Sequence, residues 1–346
     1  MPAKQSCKIS LGLIGLGRLG KVYARVLAAF FPQARVVAVA DTIAEVAEQI
    51  AAAYEVPRWY ADSNALLEDG EVDAVVIVTP THTHKDLVIA AAQRQKAIFC
   101  EKPLSLSLAE CEQMKQVLSH TGVYFQMGFM RRFDRGYVAA REKITQGAIG
   151  TPVMFRATSR DPFLPSLAYA DPKSSGGLML DMGIHDLDLA RWFVGEIKAV
   201  YAIGGVLAYP EMKTIGDIDN AVISLVFEDG QLGVIDLSRN GVYGYDIATE
   251  ILGTNGSLRI GYLQETPVLV MTRNCIAHDT VPYFMERFAG AYTTQLQNFV
   301  ENLLHDRKPP VTIDDGIAAL RAAVAATKSF HANKPVNVAS VISGDP

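Results

Sequence analysis

Along roughly the first 130 residues, short apolar runs alternate with stretches whose apolar positions recur at helical spacing. Ile9–Ile14, Val36–Ala40, Ala74–Val78, Ala97–Cys100 and Val123–Met127 read as strands. Lys21–Phe30, closed off by Pro32, and Thr42–Tyr54, Asp86–Gln95 and Leu108–His120 read as helices. Such alternation predicts a parallel sheet with helices on both faces. The second half changes character. Val153–Thr158, Val200–Val206, Ala221–Phe227, Leu232–Asp236, Ile247–Leu252, Ser257–Ile260 and Val268–Met271 are short strand-like runs, punctuated by turn signals such as Glu228-Asp229-Gly230 and Thr254-Asn255-Gly256. They predict an open, mainly antiparallel sheet, framed by helices over Gly177–Phe193 and Ala291–Leu304, with a last helix over Asp315–Ser329. The pattern changes near Gly128, dividing the chain into domains 1–128 and 129–346 of an α/β protein. A length of 346 residues also suits two domains.

Composition narrows the class. Hydrophobic residues make up 49% and charged ones 20%, enough apolar material for a sizeable core. A net charge of −5 gives no footprint for nucleic acid or anionic lipid. Cys7, Cys100, Cys111 and Cys275 form no CxxC pair and fit no zinc spacing. No run of 18 apolar residues appears, and the glycine-broken start lacks the form of a signal peptide, so a soluble cytoplasmic protein is expected.

The run Gly15-Leu16-Gly17-Arg18-Leu19-Gly20 fits GxGxxG between a strand and a helix. There the first glycine allows a tight turn, the second lets backbone approach a pyrophosphate, and the third lets helix and strand pack closely. Asp41 ends the second strand, 21 residues after Gly20, where a carboxylate binds the adenosine ribose. Its charge repels a 2′-phosphate and its neighbour is Thr42, not arginine, which predicts NAD over NADP; a plain helix cap is the other reading. Thr79, Pro80, Thr81 and His84 follow the third strand and face the cofactor crevice, with helix capping as the alternative role of the threonines. These features together specify a doubly wound Rossmann domain.

Lys102, between Glu101 and Pro103, ends a buried strand; it either reaches the crevice or lies on the surface. Farther on, Asp181, His185 and Asp188 are spaced i, i+4, i+7 on a predicted helix and share one face. A carboxylate one turn from an imidazole makes His185 a candidate general base. A structural polar network stays open as an alternative. A metal site lacks a third and fourth ligand at matched spacing.

With GxGxxG, Glu101-Lys102-Pro103 and the Asp181/His185 helix in this order, the chain resembles the glucose–fructose oxidoreductase/inositol dehydrogenase/MocA (Gfo/Idh/MocA) family over nearly its whole length. The inositol 2-dehydrogenases are most similar, through Gln126–Asp134, Tyr243-Gly244-Tyr245-Asp246, and Arg287-Phe288 with Ala291-Tyr292. The resemblance implies NAD as cofactor, with Glu101 and Lys102 beside it, and a homotetramer built on the open sheet. It also implies a catalytic triad: His185 takes the hydroxyl proton, Lys102 polarises that oxygen, and Asp181 orients His185 or the substrate. Met130, Arg131, Ser159, Arg160, Asp188 and Tyr245 match positions lining a polyol pocket. Myo-inositol-preferring relatives carry a histidine where this chain has Ser159. That departure, with Gly216-Asp217-Ile218-Asp219, points to the scyllo-inositol branch. Other enzymes on the same scaffold (pyranose dehydrogenases, NAD-dependent glycosidases) and a non-catalytic dinucleotide sensor are the competing expectations.

Overall fold

A computed structural model describes residues 8–342; Cys7 and the first residues of the stretch judged against a signal peptide lie outside them. The chain forms two compact units. One runs to Phe129 and takes in Tyr292–Ile317; the other comprises Met130–Ala291 and the chain from Ala318 onward. A single boundary near Gly128 assigns 292–317 to the second domain, whereas its packing places it in the first. Phe299 stacks on Phe99 and Tyr124 at 5.8 and 5.7 Å, and the Met127 amide donates to the Val311 carbonyl at 3.0 Å.

In the first unit the elements are β1 (Ile9–Ile14), α1 (Arg18–Phe30), β2 (Ala34–Ala40), α2 (Ala44–Ala53), β3 (Arg58–Tyr60), α3 (Ser63–Glu68), β4 (Ala74–Ile77), α4 (His84–Gln93), β5 (Ala97–Glu101), α5 (Leu108–Thr121) and β6 (Phe125–Gly128). The six strands are all parallel in the order β3-β2-β1-β4-β5-β6. Strand order reverses between β1 and β4, so a crevice opens beyond their carboxyl ends. β3 and α3 escape the hydrophobic pattern because they span only three and six residues. All four residues of β4 are buried, as a central parallel strand requires.

The second unit contains α6 (Arg135–Thr145), β7 (Pro152–Arg160), four consecutive helices α7 (Leu167–Ala170), α8 (Pro172–Ser175), α9 (Leu178–Asp181) and α10 (Gly183–Phe193), then β8 (Ile197–Gly205), β9 (Asn220–Phe227), β10 (Leu232–Ser238), β11 (Asp246–Gly253), β12 (Gly256–Ile260), β13 (Val270–Met271) and β14 (Ile276–Ala277). Helix α11 (Phe284–Leu304) begins here and α12 (Ile313–Ala332) ends here, before β15 (Val336–Asn337). The main sheet is mixed, in the order β12-β11-β7-β10-β9-β8-β15, with only β7 and β10 parallel. Val268–Met271 is not part of it: β13 pairs only with β14, in a separate two-stranded hairpin.

The helix expected over Gly177–Phe193 is two helices, α9 and α10, joined at Met182. Gly183 starts α10 pressed on β10: a Cβ there would lie 3.0 Å from Leu237 Cδ1. Helix α11 begins seven residues earlier than Ala291 and kinks at Phe288 (φ −119°, ψ 16°). No helix among the described residues is long and apolar enough to cross a membrane.

One contact fixes the β1–α1 turn. A Cβ on Gly20 would sit 2.0 Å from the Gly15 carbonyl oxygen, and Gly15 itself holds φ +91°. Gly20→Ala is therefore expected to lower stability by about 1–3 kcal/mol, the range for overpacking a close contact, read as a lower urea midpoint.

Candidate active site

Three loops of the first unit meet at the carboxyl end of its sheet. The Leu16 amide donates to Asp41 Oδ2 at 2.8 Å and the Ile43 amide to Oδ1 at 2.9 Å. Asp41 thus ties the β1–α1 turn to the end of β2 while staying half-exposed. Thr79 packs against Gly15, whose Cβ would meet Thr79 Cγ2 at 2.8 Å. Gly17, Arg18, Thr42 and Pro80 are exposed, and Leu19, Thr79 and Thr81 half-buried. Helix α1 starts without a side-chain cap and without an acidic residue in its first turn. A Cβ on Gly17 would meet nothing within 4 Å. This is the electrostatic and steric form of a pyrophosphate cradle: amides and dipole aimed outward, with no carboxylate competing. The residues therefore fit a dinucleotide.

His84 is committed to the scaffold. Its ring is buried, with Nδ1 2.9 Å from the Pro103 carbonyl and Nε2 3.0 Å from the Thr79 carbonyl. Both nitrogens join loops rather than reach for ribose or phosphate, and burial pulls its pKa down. The Lys102–Pro103 peptide is cis. Lys102 is half-buried, while Glu101 beneath it is fully enclosed. Glu101 accepts from the Lys102 amide at 3.1 Å, from the Tyr23 hydroxyl, and from Gln295 Nε2 at 3.3 Å. Burial pushes its carboxyl up, against those three donors. Glu101 thus supports the turn that presents Lys102, a role the sequence alone does not reveal because Tyr23 and Gln295 are remote in the chain.

In the second unit the predicted polar residues are caught in buried ion pairs. Arg131 and Arg132 follow one another in the short helical turn Met130–Phe133. Arg131 Nη1 donates to Asp186 Oδ1 at 2.7 Å, and Ser159 Oγ donates to Asp186 Oδ2 at 2.6 Å. Arg132 grips Asp188 with two bonds of 2.8 and 2.6 Å. Burial works against the Arg131 charge, but Asp186 beside it prevails and holds the guanidinium protonated. His185, 7% exposed, directly precedes Asp186 on α10, three residues before Asp188. Asp188 gives both oxygens to Arg132, so its first task is structural. Met130 and Tyr245 are buried, Tyr245 edge-on to Tyr283 at 5.6 Å. Ser159 and Arg160 are neighbours on β7 and so point to opposite faces. Arg160 pairs with Asp236 and with the Tyr243 hydroxyl, away from Ser159.

Asp181, the last residue of α9, is separated by Met182 from His185 and Asp188 on α10. Its Oδ2 accepts from Arg239 Nη2 at 3.0 Å and its Oδ1 from the Tyr169 hydroxyl at 3.1 Å. Asp217 stands close by, bonded to the Leu178 amide at 3.0 Å. Sequence reasoning missed Arg132, Asp186, Arg239 and Tyr169. The signal available was the arginine doublet Arg131-Arg132 against the paired acids Asp186 and Asp188.

Comparison with known proteins follows from this geometry. Residues 9–129 match the NAD-binding Rossmann fold, and residues 141–338 the C-terminal alpha/beta domain, of one oxidoreductase family, Gfo/Idh/MocA. The chain belongs to the Gfo/Idh/MocA oxidoreductases. Among its relatives in that family is scyllo-inositol 2-dehydrogenase (NAD(+)) of Bacillus subtilis, 40% identical over 96% of both chains. Another is myo-inositol 2-dehydrogenase of Thermotoga maritima, 39% identical over 96% of this chain and 99% of the relative. The crystal structure of scyllo-inositol dehydrogenase from Lactobacillus casei with bound NAD(H) and scyllo-inositol superposes with a TM-score of 0.92, at 35% identity over 96% of this chain and 100% of that one. The first unit of this family member is an NAD-binding Rossmann domain, as Gly15–Gly20 and Asp41 require.

Breaking one arginine clamp tests its structural weight. Arg132→Ala removes both of these bonds from the buried Asp188 carboxylate and is expected to cost about 3–5 kcal/mol, measured by urea unfolding against Arg132→Lys.

Proposed function

We propose that the protein is an NAD-dependent inositol 2-dehydrogenase that favours scyllo-inositol and oxidises myo-inositol next. The observation that carries this reading is full-length similarity, on both chains, to a scyllo-inositol 2-dehydrogenase at 40% identity. Lys102, Asp181 and His185 match the catalytic positions that the family resemblance implies. NAD, held by Gly15–Gly20 and Asp41 with Thr79, Thr81 and Lys102 nearby, supplies the hydride acceptor. His185 accepts the hydroxyl proton as the carbon–oxygen double bond forms. Lys102 donates a hydrogen bond to that oxygen and stabilises the charge that grows on it. Asp181, its oxygens already bonded to Arg239 and Tyr169, is an acceptor that orients the substrate or the imidazole. Arg131 and Tyr245 shape the polyol pocket, with Ser159 in place of a histidine.

Preference for scyllo-inositol rests on Ser159. Scyllo-inositol has every hydroxyl equatorial, whereas myo-inositol has one axial hydroxyl at C2, so the reacting hydrogen leaves in a different direction. A serine held by Arg131 and Asp186 presents less bulk there than an imidazole. Assembly as a homotetramer belongs to the same reading. The outer face of the main sheet carries an apolar cross-strand row, Val226, Leu232, Met154 and Leu252, suited to burial against a second copy.

Initial rates of NADH formation with scyllo-inositol, myo-inositol and glucose, each with NAD and NADP, test the reading. Turnover of scyllo-inositol with NAD above the others supports it; turnover of glucose alone transfers the protein to the pyranose dehydrogenases. Lys102→Ala is expected to lower kcat by about 10²–10⁴-fold with NAD affinity retained, and a loss under tenfold removes Lys102 from the chemistry. Asp41→Ala with Thr42→Arg is expected to shift preference toward NADP; unchanged selectivity sinks the ribose assignment.

A further inference from the structure

We propose that Arg239 is a positioning residue for the reaction: it holds the Asp181 carboxylate in its orientation. This rests on the reading of Asp181 as part of the catalytic set. Arg239 is entirely buried, immediately after β10. Its hydrogen bond to a side chain is the one from Nη2 to Asp181 Oδ2, and its Nε and Nη1 make none. Buried guanidinium groups are normally tied by several bonds, so one left with a single bond needs a reason. The reason lies in its surroundings. Asp181, Asp217 and Asp161 all face it. Burial pushes Asp217 up, Asp181 adding to the rise and Arg239 opposing it. Two carboxylates in one enclosed place share a proton unless a cation stands by them. Arg239 is that cation, and its own anchorage is firm: its amide donates to the Asp219 carbonyl at 2.9 Å. The Asp219 carboxylate in turn accepts from the Leu207, Ala208 and Tyr209 amides at 2.8, 2.9 and 2.6 Å, holding the loop that carries Asp217. Opposite, the Tyr169 hydroxyl donates to Asp181 Oδ1, and Asp181 first, then burial, keep that phenol protonated. Asp181 is thereby fixed at both oxygens as an acceptor.

The test compares Arg239→Gln with Arg239→Lys. Arg239→Gln is expected to lower kcat by about 10–100-fold, the loss usual when an orienting partner is removed, with KM for the polyol changed much less. The acid limb of its kcat/KM profile is expected to move upward by about one pH unit, since Asp217, which Arg239 opposes in its rise, then takes up a proton more readily beside Asp181. Arg239→Lys keeps the charge and is expected to recover most of the rate and the original limb. If Arg239→Gln proves unfolded by circular dichroism, Arg239→Gln with Asp217→Asn removes the repulsion and carries the same comparison. A folded Gln variant with the limb unmoved and Lys no better than Gln overturns the proposal. Should the wild-type enzyme oxidise no polyol, the functional reading fails separately. Carbon-13 carboxyl spectra, assigned with Asp181→Asn, then decide the Arg239 question without turnover: an Asp181 resonance shifted in Arg239→Gln but not in Arg239→Lys supports it, and identical spectra refute it.

Discussion

An ionised group taken out of water must be paired, and the second unit is organised around that constraint. Six charged side chains, Arg131, Arg132, Asp186, Asp188, Asp219 and Arg239, are at most 8% exposed. Each unpaired charge of this kind would cost several kcal/mol, whereas paired and hydrogen-bonded it is tolerated at little net gain. What the pairs supply is geometry. The two arginines of Met130–Phe133 reach two acids on α10 that are one residue apart from His185 and three residues beyond it. The imidazole is thus held in a helix clamped at two points, and the clamp closes only in one register. A slip of one residue along α10 would place Leu187 and Leu189 against the guanidinium groups and strand both carboxylates.

The same constraint explains what the amino-acid sequence discloses and what it conceals. The Rossmann unit was legible because its cues are local: apolar runs that end at glycine, a glycine spacing set by van der Waals contact, an acid at a strand end. Each works within about 25 residues, as the 2.8 Å bond from the Leu16 amide to Asp41 illustrates. The site in the second unit was half legible. The spacing of Asp181, His185 and Asp188 marked a segment that the structure divides between two helices, where one uninterrupted helix was expected. The interruption at Met182 has a weak local sign in Gly183, a poor helix former, which a helical spacing does not register. Gly183 also starts α10 where a Cβ would lie 3.0 Å from Leu237, 54 positions away in the chain. The partners of the acids, Arg131, Arg132 and Arg239, lie about 50 residues or more away, and no periodicity reports on pairing at that range. Likewise 292–317 reads as part of a C-terminal domain until Phe299 is seen against Phe99.

On the proposed function, Asp41 meets a structural and a binding requirement together. Its carboxylate already accepts from two main-chain amides, which fixes its position at the end of β2 without using up its lone pairs. A residue recruited only to hold the turn could be asparagine or serine. A carboxylate adds a charge that neutral ribose hydroxyls tolerate and a phosphate does not, and α1, lacking any acid in its first turn, keeps the adjoining amides open to the pyrophosphate.

Charge placement also divides the labour of the proposed reaction. Asp181 accepts from Arg239 on one oxygen and from Tyr169 on the other, so its carboxylate is committed to orientation. Asp186 and Asp188 are spent on arginines. Glu101 faces inward to Tyr23 and Gln295. Of the groups named for the chemistry, the imidazole of His185 is the one whose ordinary pKa lies near neutrality. With Asp181, Asp186 and Asp188 committed to arginines, His185 is the group left to accept the proton that leaves the substrate in the proposed reaction.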